Sequence, residues 1–156
     1  YSLNSGSTWI TYNDGVVMRT SATVTGLTNG RGYLFRVAAK TLAGSGAFSA
    51  VSASLTPRTV PGPPTAVAGT VGNRQVQLTW TAPGTTGGAA ITDYVVQYSL
   101  NNGSTWITYN DGVVARTSTT VTGLTNGRGY VFRVAAQSVA GTGGFSARTA
   151  ILKPRA

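Results

Sequence analysis

Hydrophobic and polar positions alternate with a period of two in several short runs, and turn residues separate the runs. In residues 33–40 (YLFRVAAK), Tyr33, Phe35, Val37 and Ala39 fall on one face, opposite Leu34, Arg36, Ala38 and Lys40. That is the pattern of a half-buried strand. Residues 74–80 (RQVQLTW) place Val76, Leu78 and Trp80 together, and residues 91–99 (ITDYVVQYS) place Tyr94, Val96 and Tyr98 opposite Asp93, Val95 and Gln97. Shorter strands are predicted at 8–12, 22–25 and 65–70, with a further strand over 48–55 after a Gly-containing loop at 43–46. Asn13-Asp14-Gly15, Asn102-Gly103 and Asn110-Asp111-Gly112 are hairpin turn signals, because Asn, Asp and Gly accept positive φ at little cost. Short strands, frequent turns and no helical period predict an all-β, antiparallel sandwich.

The pattern occurs twice. Residues 1–59 match residues 98–156 at a constant offset of 97, with 45 of 59 positions identical and no gap. Residues 60–156 make one full period of 97, a normal length for a small domain. The expected organisation is therefore the C-terminal part of one domain over 1–56, a linker over 57–64 and a complete domain over 65–156. The linker (PRTVPGPP) holds four prolines in eight residues, which keeps it out of a central ladder and favours an extended path. A first domain without counterparts of 60–97 would leave apolar faces and sheet edges open. Two arrangements would cover them: more chain ahead of Tyr1, as in a longer tandem array, or strands donated by another molecule, as in a fibre. The unbroken period favours the array.

Composition narrows the function. Hydrophobic content of 41% suffices for a core, and no apolar run approaches the roughly 20 residues that span a bilayer. With no Cys, the chain has neither disulfides nor thiolate metal sites. His and Glu are also absent and the three Asp are scattered, so no acid–base pair, activated nucleophile or calcium cage can be drawn. The chain reads as a non-enzyme with no cofactor and no metal. Twelve cations, ten of them Arg, stand against three Asp, a net charge of +9. That balance suits anionic partners such as polysaccharide or cell-wall polymer, or the solubility of an extended surface protein. The cations form no dense cluster along the chain, which argues against specific nucleic-acid binding.

The strand and turn residues carry a resemblance. Pro63-Pro64, Trp80, Pro83 with the Gly-rich loop after it, and Ile91, Tyr94 and Tyr98 resemble a fibronectin type III domain. The Leu-x-x-Gly-x-x-Tyr pattern, at Leu27/Gly30/Tyr33 and again at Leu124/Gly127/Tyr130, matches the family's tyrosine corner. The resemblance covers 1–59 and 60–156. It implies tandem immunoglobulin-like (fibronectin type III), seven-stranded β-sandwiches, the first one N-terminally incomplete. It also implies a buried Tyr ring whose hydroxyl bonds backbone at the corner, and a core role for Trp80. The family's usual roles are spacing and adhesion. Near-identical, Cys-free, Thr- and Gly-rich repeats look like the bacterial kind, at the cell surface or secreted. The expected function is a structural spacer or adhesion module whose partners are neighbouring copies of the domain, or other subunits if it forms a fibre. The alternative is an accessory carbohydrate-binding or spacer module of a secreted polysaccharide-degrading enzyme.

Two sets of residues are candidate contacts. Arg19, Arg31, Arg116 and Arg128 lie in loops, while Arg36 and Arg133, with Lys40, point outward from a strand; together they could hold an anionic ligand or partner. Trp9, Tyr12, Trp106 and Tyr109 sit on a short strand near a sheet edge, where they could stack on sugar rings or instead seal the core and shield the edge. Asp93 is expected to face Arg133. Arg31-Gly32 and Arg128-Gly129 are followed by Tyr, so neither is an Arg-Gly-Asp adhesive motif. Asn102-Gly103-Ser104 fits the glycan acceptor pattern but doubles as a turn.

Overall fold

A computed structural model describes residues 1–156. The chain divides into two compact units, Tyr1–Arg58 and Thr59–Ala156.

In the first unit only β1 (Lys40–Thr41) and β2 (Gly44–Ser45) form a two-stranded ribbon. The strands expected over 8–12, 22–25, 33–40 and 48–55 do not form there. Single bridges, Ser2 to Leu34 and Tyr33 to Leu55, stand in for ladders. The reason is pairing. A strand holds its geometry by pairing with a neighbour; in the second unit β7 and β8 pair with β4 and β5, both within residues 60–97, and residues 1–58 include no counterpart of these. Val37 is 72% exposed, whereas its equivalent Val134 is 0% exposed.

The second unit is a two-layer sandwich. Its strands are β3 (Thr65–Gly72), β4 (Gln75–Thr81), β5 (Ile91–Ser99), β6 (Ile107–Tyr109), β7 (Ser118–Val121), β8 (Val131–Ser138) and β9 (Gly141–Phe145). One sheet runs β3-β4-β7 and the other β6-β5-β8-β9, with every pairing antiparallel. Strand β4 alternates as the sequence predicts, with Val76, Leu78 and Trp80 buried and the residues between them exposed. They pack against Tyr94 and Val96 of β5, Val121 of β7, and Phe132, Val134 and Ala136 of β8. Each such large apolar side chain contributes about 1.5–3 kcal/mol on burial. Trp80 meets Tyr94 edge-on with ring centroids 5.4 Å apart, as a core anchor should, although its indole N–H has no partner.

Both tyrosine corners close as the resemblance implies. The Tyr130 hydroxyl accepts from the Thr125 backbone N–H at 3.0 Å, and the Tyr33 hydroxyl from that of Thr28 at 2.8 Å. The turn at Asn102-Gly103 also forms, with φ of 57° and 94° at the two residues.

One expectation needs correction in the second unit. The last strand is Gly141–Phe145, earlier than the segment leading to Lys153. Beyond it, Ser146, Thr149 and Leu152 donate their backbone N–H groups to Val134, Phe132 and Tyr130. Three residues there advance only as far as two on β8, about 6.7 Å, so the segment coils and cannot form a ladder. Hydroxyls close the gaps: Phe132 donates its N–H to Thr149 Oγ1 and Val134 to Ser146 Oγ, both at 3.1 Å. From Thr59 onward the Pro-rich stretch belongs to the second unit. Thr59 and Gly62 donate to the Gly87 and Thr85 carbonyls, and Pro61 and Pro64 are buried.

Candidate interaction surface

The outer face of the four-stranded sheet is organised by one side chain. On β8, Arg133 lies between the rings of Trp106 and Phe145, with its guanidinium carbon 4.1 Å and 4.0 Å from their centroids. Alternation puts Arg133 on this face, and the antiparallel register sets Gln97 of β5 directly opposite. Gln97 Oε1 accepts from Nε at 2.9 Å and from Nη2 at 2.7 Å. Burial pulls the Arg133 pKa below the ordinary arginine value, yet an arginine stays charged throughout the physiological range. Two ring faces supply attraction to a partly desolvated cation. The first unit repeats the stack, with Arg36 4.0 Å from both Trp9 and Phe48. Its Nε is buried without a partner.

Asp93 does not face Arg133. Register places it beside Gln137, and its Oδ1 accepts from the Val114 backbone N–H at 3.0 Å. Gln97 has the geometry that the sequence reading assigned to Asp93. The stacking partners Phe48 and Phe145 were missed as well; aromatic residues at equivalent offsets in both repeats were the available signal.

The remaining candidates separate into three groups. Arg19 and Arg116 are tied to Asp14 and Asp111, at 3.3 Å and 3.8 Å. Arg31 and Arg128 sit in exposed turns, and Lys40 opens the exposed ribbon of the first unit. Trp9 and Trp106 each have one ring face covered by an arginine. Tyr109 donates its hydroxyl to the Thr120 carbonyl on the neighbouring β7 at 3.1 Å, and Tyr12 is bonded to Thr25 Oγ1 at 3.2 Å. Strand β7 ends its sheet, so the Tyr109 hydroxyl occupies a carbonyl that an added strand would use.

No group of three or more His, Cys, Asp or Glu side chains converges. No helix is long and apolar enough to cross a membrane. The sandwich with its tyrosine corner matches the family model of the fibronectin type III domain over residues 62–151. The chain belongs to the fibronectin type III family. Among curated proteins, this fibronectin type III chain is similar to the M-protein of striated muscle from Gallus gallus, 36% identical over 140 residues, covering 86% of this chain and 10% of that protein. It is also similar to the cardiac-type myosin-binding protein C of Rattus norvegicus, 32% identical over 137 residues, covering 87% of this chain and 11% of that protein. The chain thus spans about a tenth of the length of these relatives. Among solved structures, domains A168–A170 of titin superpose with a TM-score of 0.64 at 29% identity, covering 82% of this chain and 42% of that one.

Proposed function

We propose that this protein is a non-catalytic structural spacer, a fibronectin type III module of a protein built from such repeats. The observation that carries the reading is the repeat itself. Both copies keep the same tyrosine corner and the same Arg–aromatic stack, and the chain has no His, Cys or Glu. Similarity to M-protein and to a run of titin domains supports a structural module whose partners are proteins. A place at the cell surface or in a secreted, bacterial fibre is part of the proposal and rests on composition: repeats that are nearly identical, rich in Gly and free of Cys.

The accessory carbohydrate-binding reading needs open aromatic faces. Arginines cover one face of Trp9 and one of Trp106, and the hydroxyls of Tyr12 and Tyr109 are engaged. Sedimentation with insoluble cellulose, chitin and acidic polysaccharides tests the choice. The spacer reading expects the protein to stay in the supernatant. Co-sedimentation that Trp106→Ala abolishes would replace it with the carbohydrate-binding reading.

A further inference from the structure

We propose that a concavity on the flank of the sandwich, beside β7, binds a small polar molecule that carries both an ammonium and a carboxylate, the chemistry of a free α-amino acid. Its volume is about 420 Å³, and Gln77, Tyr109, Asp111, Arg116, Ser118 and Thr120 line it. Register sets Gln77 of β4 opposite Thr120 of β7, and alternation puts Ser118 on the same face. Asp111 and Arg116 come from the connection between β6 and β7, residues 110–117. That connection is held in one shape. Gly112 N donates to Asn110 Oδ1 at 3.1 Å, Val114 N to Asp93 Oδ1 at 3.0 Å, and Trp80 N to the Thr117 carbonyl at 3.0 Å.

Asp111 is the residue that points to a ligand. Its side chain is only 10% exposed, yet no N–H or O–H of the chain donates to the carboxylate. Arg116 Nη2 stands 3.8 Å from Oδ2, a charge contact that is too long for a hydrogen bond. A carboxylate that is withdrawn from water needs donors, because a buried charge without hydrogen bonds is costly. The Arg116 side chain is 53% exposed, so its guanidinium is open to a second partner.

The two charges decide the ligand class. A simple cation would satisfy Asp111 but meet Arg116 at short range, and a simple anion would do the reverse. A zwitterion suits both. Its ammonium donates to Asp111, its carboxylate accepts from Arg116, and the four charges alternate in sign around a ring. Gln77, Ser118 and Thr120 add neutral donors and acceptors, and no aliphatic side chain joins the lining, so a short polar side chain fits better than an apolar one. Tyr109 forms one wall, with its hydroxyl committed to the Thr120 carbonyl. The first copy keeps Tyr12, Asp14, Arg19, Ser21 and Thr23 at the equivalent positions, so this half of the lining is part of the repeat.

The test is a titration of the full 156-residue protein with L-serine, L-asparagine and L-glutamine, followed by amide chemical shifts in NMR spectra. Saturable shifts are expected at Gly112, Ser118 and Thr120, with affinity in the millimolar range. Ethanolamine, which lacks the carboxylate, and lactate, which lacks the ammonium, are expected to bind far more weakly than serine. Asp111→Asn and Arg116→Gln are each expected to lose about tenfold in affinity, Gln77→Ala several-fold, and Arg128→Gln none. Circular dichroism and thermal melts establish that the variants fold, while the comparison of serine with ethanolamine and lactate needs no variant. Absence of saturable shifts with all three amino acids at tens of millimolar would overturn the proposal. So would ethanolamine or lactate binding as tightly as serine, unchanged binding in folded Asp111→Asn, or an equal loss in Arg128→Gln; the paired charges would then not be what the ligand reads.

Discussion

Gln97 and Arg133 face each other across β5 and β8, and the single amide oxygen takes two guanidinium hydrogen bonds. The pair fixes the plane in which the guanidinium lies, and so fixes its stacking on Trp106 and Phe145. A double-mutant cycle with Gln97→Ala and Arg133→Met, read by urea denaturation, is expected to give a coupling energy of about 1 kcal/mol. Arg133→Lys is expected to lose more stability than a charge-conserving change suggests, because an ammonium has no planar fork to sit between two rings. Additive single mutants would mean that the amide plays no part in holding the stack.

The tyrosine corner is a second discrete joint. Tyr130→Phe keeps the buried ring and removes the hydroxyl that receives the Thr125 N–H. A loss of about 1–2 kcal/mol is expected, since a part-buried donor is left unmatched. Thermal denaturation measures the loss. Amide exchange at Thr125 should accelerate selectively, and unchanged protection there would show that another acceptor takes over.

Thr149 substitutes for a missing ladder partner. Its hydroxyl accepts from Phe132 N–H at 3.1 Å and donates to the Ala150 carbonyl at 2.8 Å. Thr149→Val preserves shape and deletes both bonds, leaving a buried backbone N–H unpaired, at a cost of about 1–3 kcal/mol. Thr149→Ser keeps the hydroxyl and should stay within about 1 kcal/mol of the parent. The first unit already carries Ser52 at this position, bonded to Phe35 N–H at 3.0 Å. Equal losses for Val and Ser would assign the effect to packing.

Alkaline stability follows from Tyr94. Burial raises its pKa above the ordinary value of 10.0, so the folded state favours the protonated phenol more than the unfolded state does. Its contribution is complete below pH 10 and falls away as pH rises through the raised folded value. Tyrosinate absorbance should therefore show a fraction that ionises late, together with loss of structure. Tyr94→Phe should remove that fraction and flatten the dependence of stability on pH above 10.

Much of the fold was legible because β structure writes its period into the chain. The alternation in β4 identified Val76, Leu78 and Trp80 as core, and Leu124, Gly127 and Tyr130 located the corner. The repeat, the turn residues and the resemblance needed no coordinates either. These features are local, or repeat at fixed offsets, so sequence spacing carries them.

Contacts that depend on register and on the meeting of distant turns were decided by tertiary structure. Gln97 rather than Asp93 faces Arg133, because an antiparallel register is a relation between strands 36 residues apart in sequence. Ser146 and Thr149 act as ladder acceptors because the chain coils after Phe145, and nothing in the alternation of 143–152 announces it. The first unit carries nearly the same residues as the end of the second, yet only a two-stranded ribbon forms there. A strand-forming sequence becomes a strand when neighbours complete its hydrogen bonds and cover its apolar face. By itself the sequence determined which residues could do this and at what spacing; the assembled sheets decided where they did.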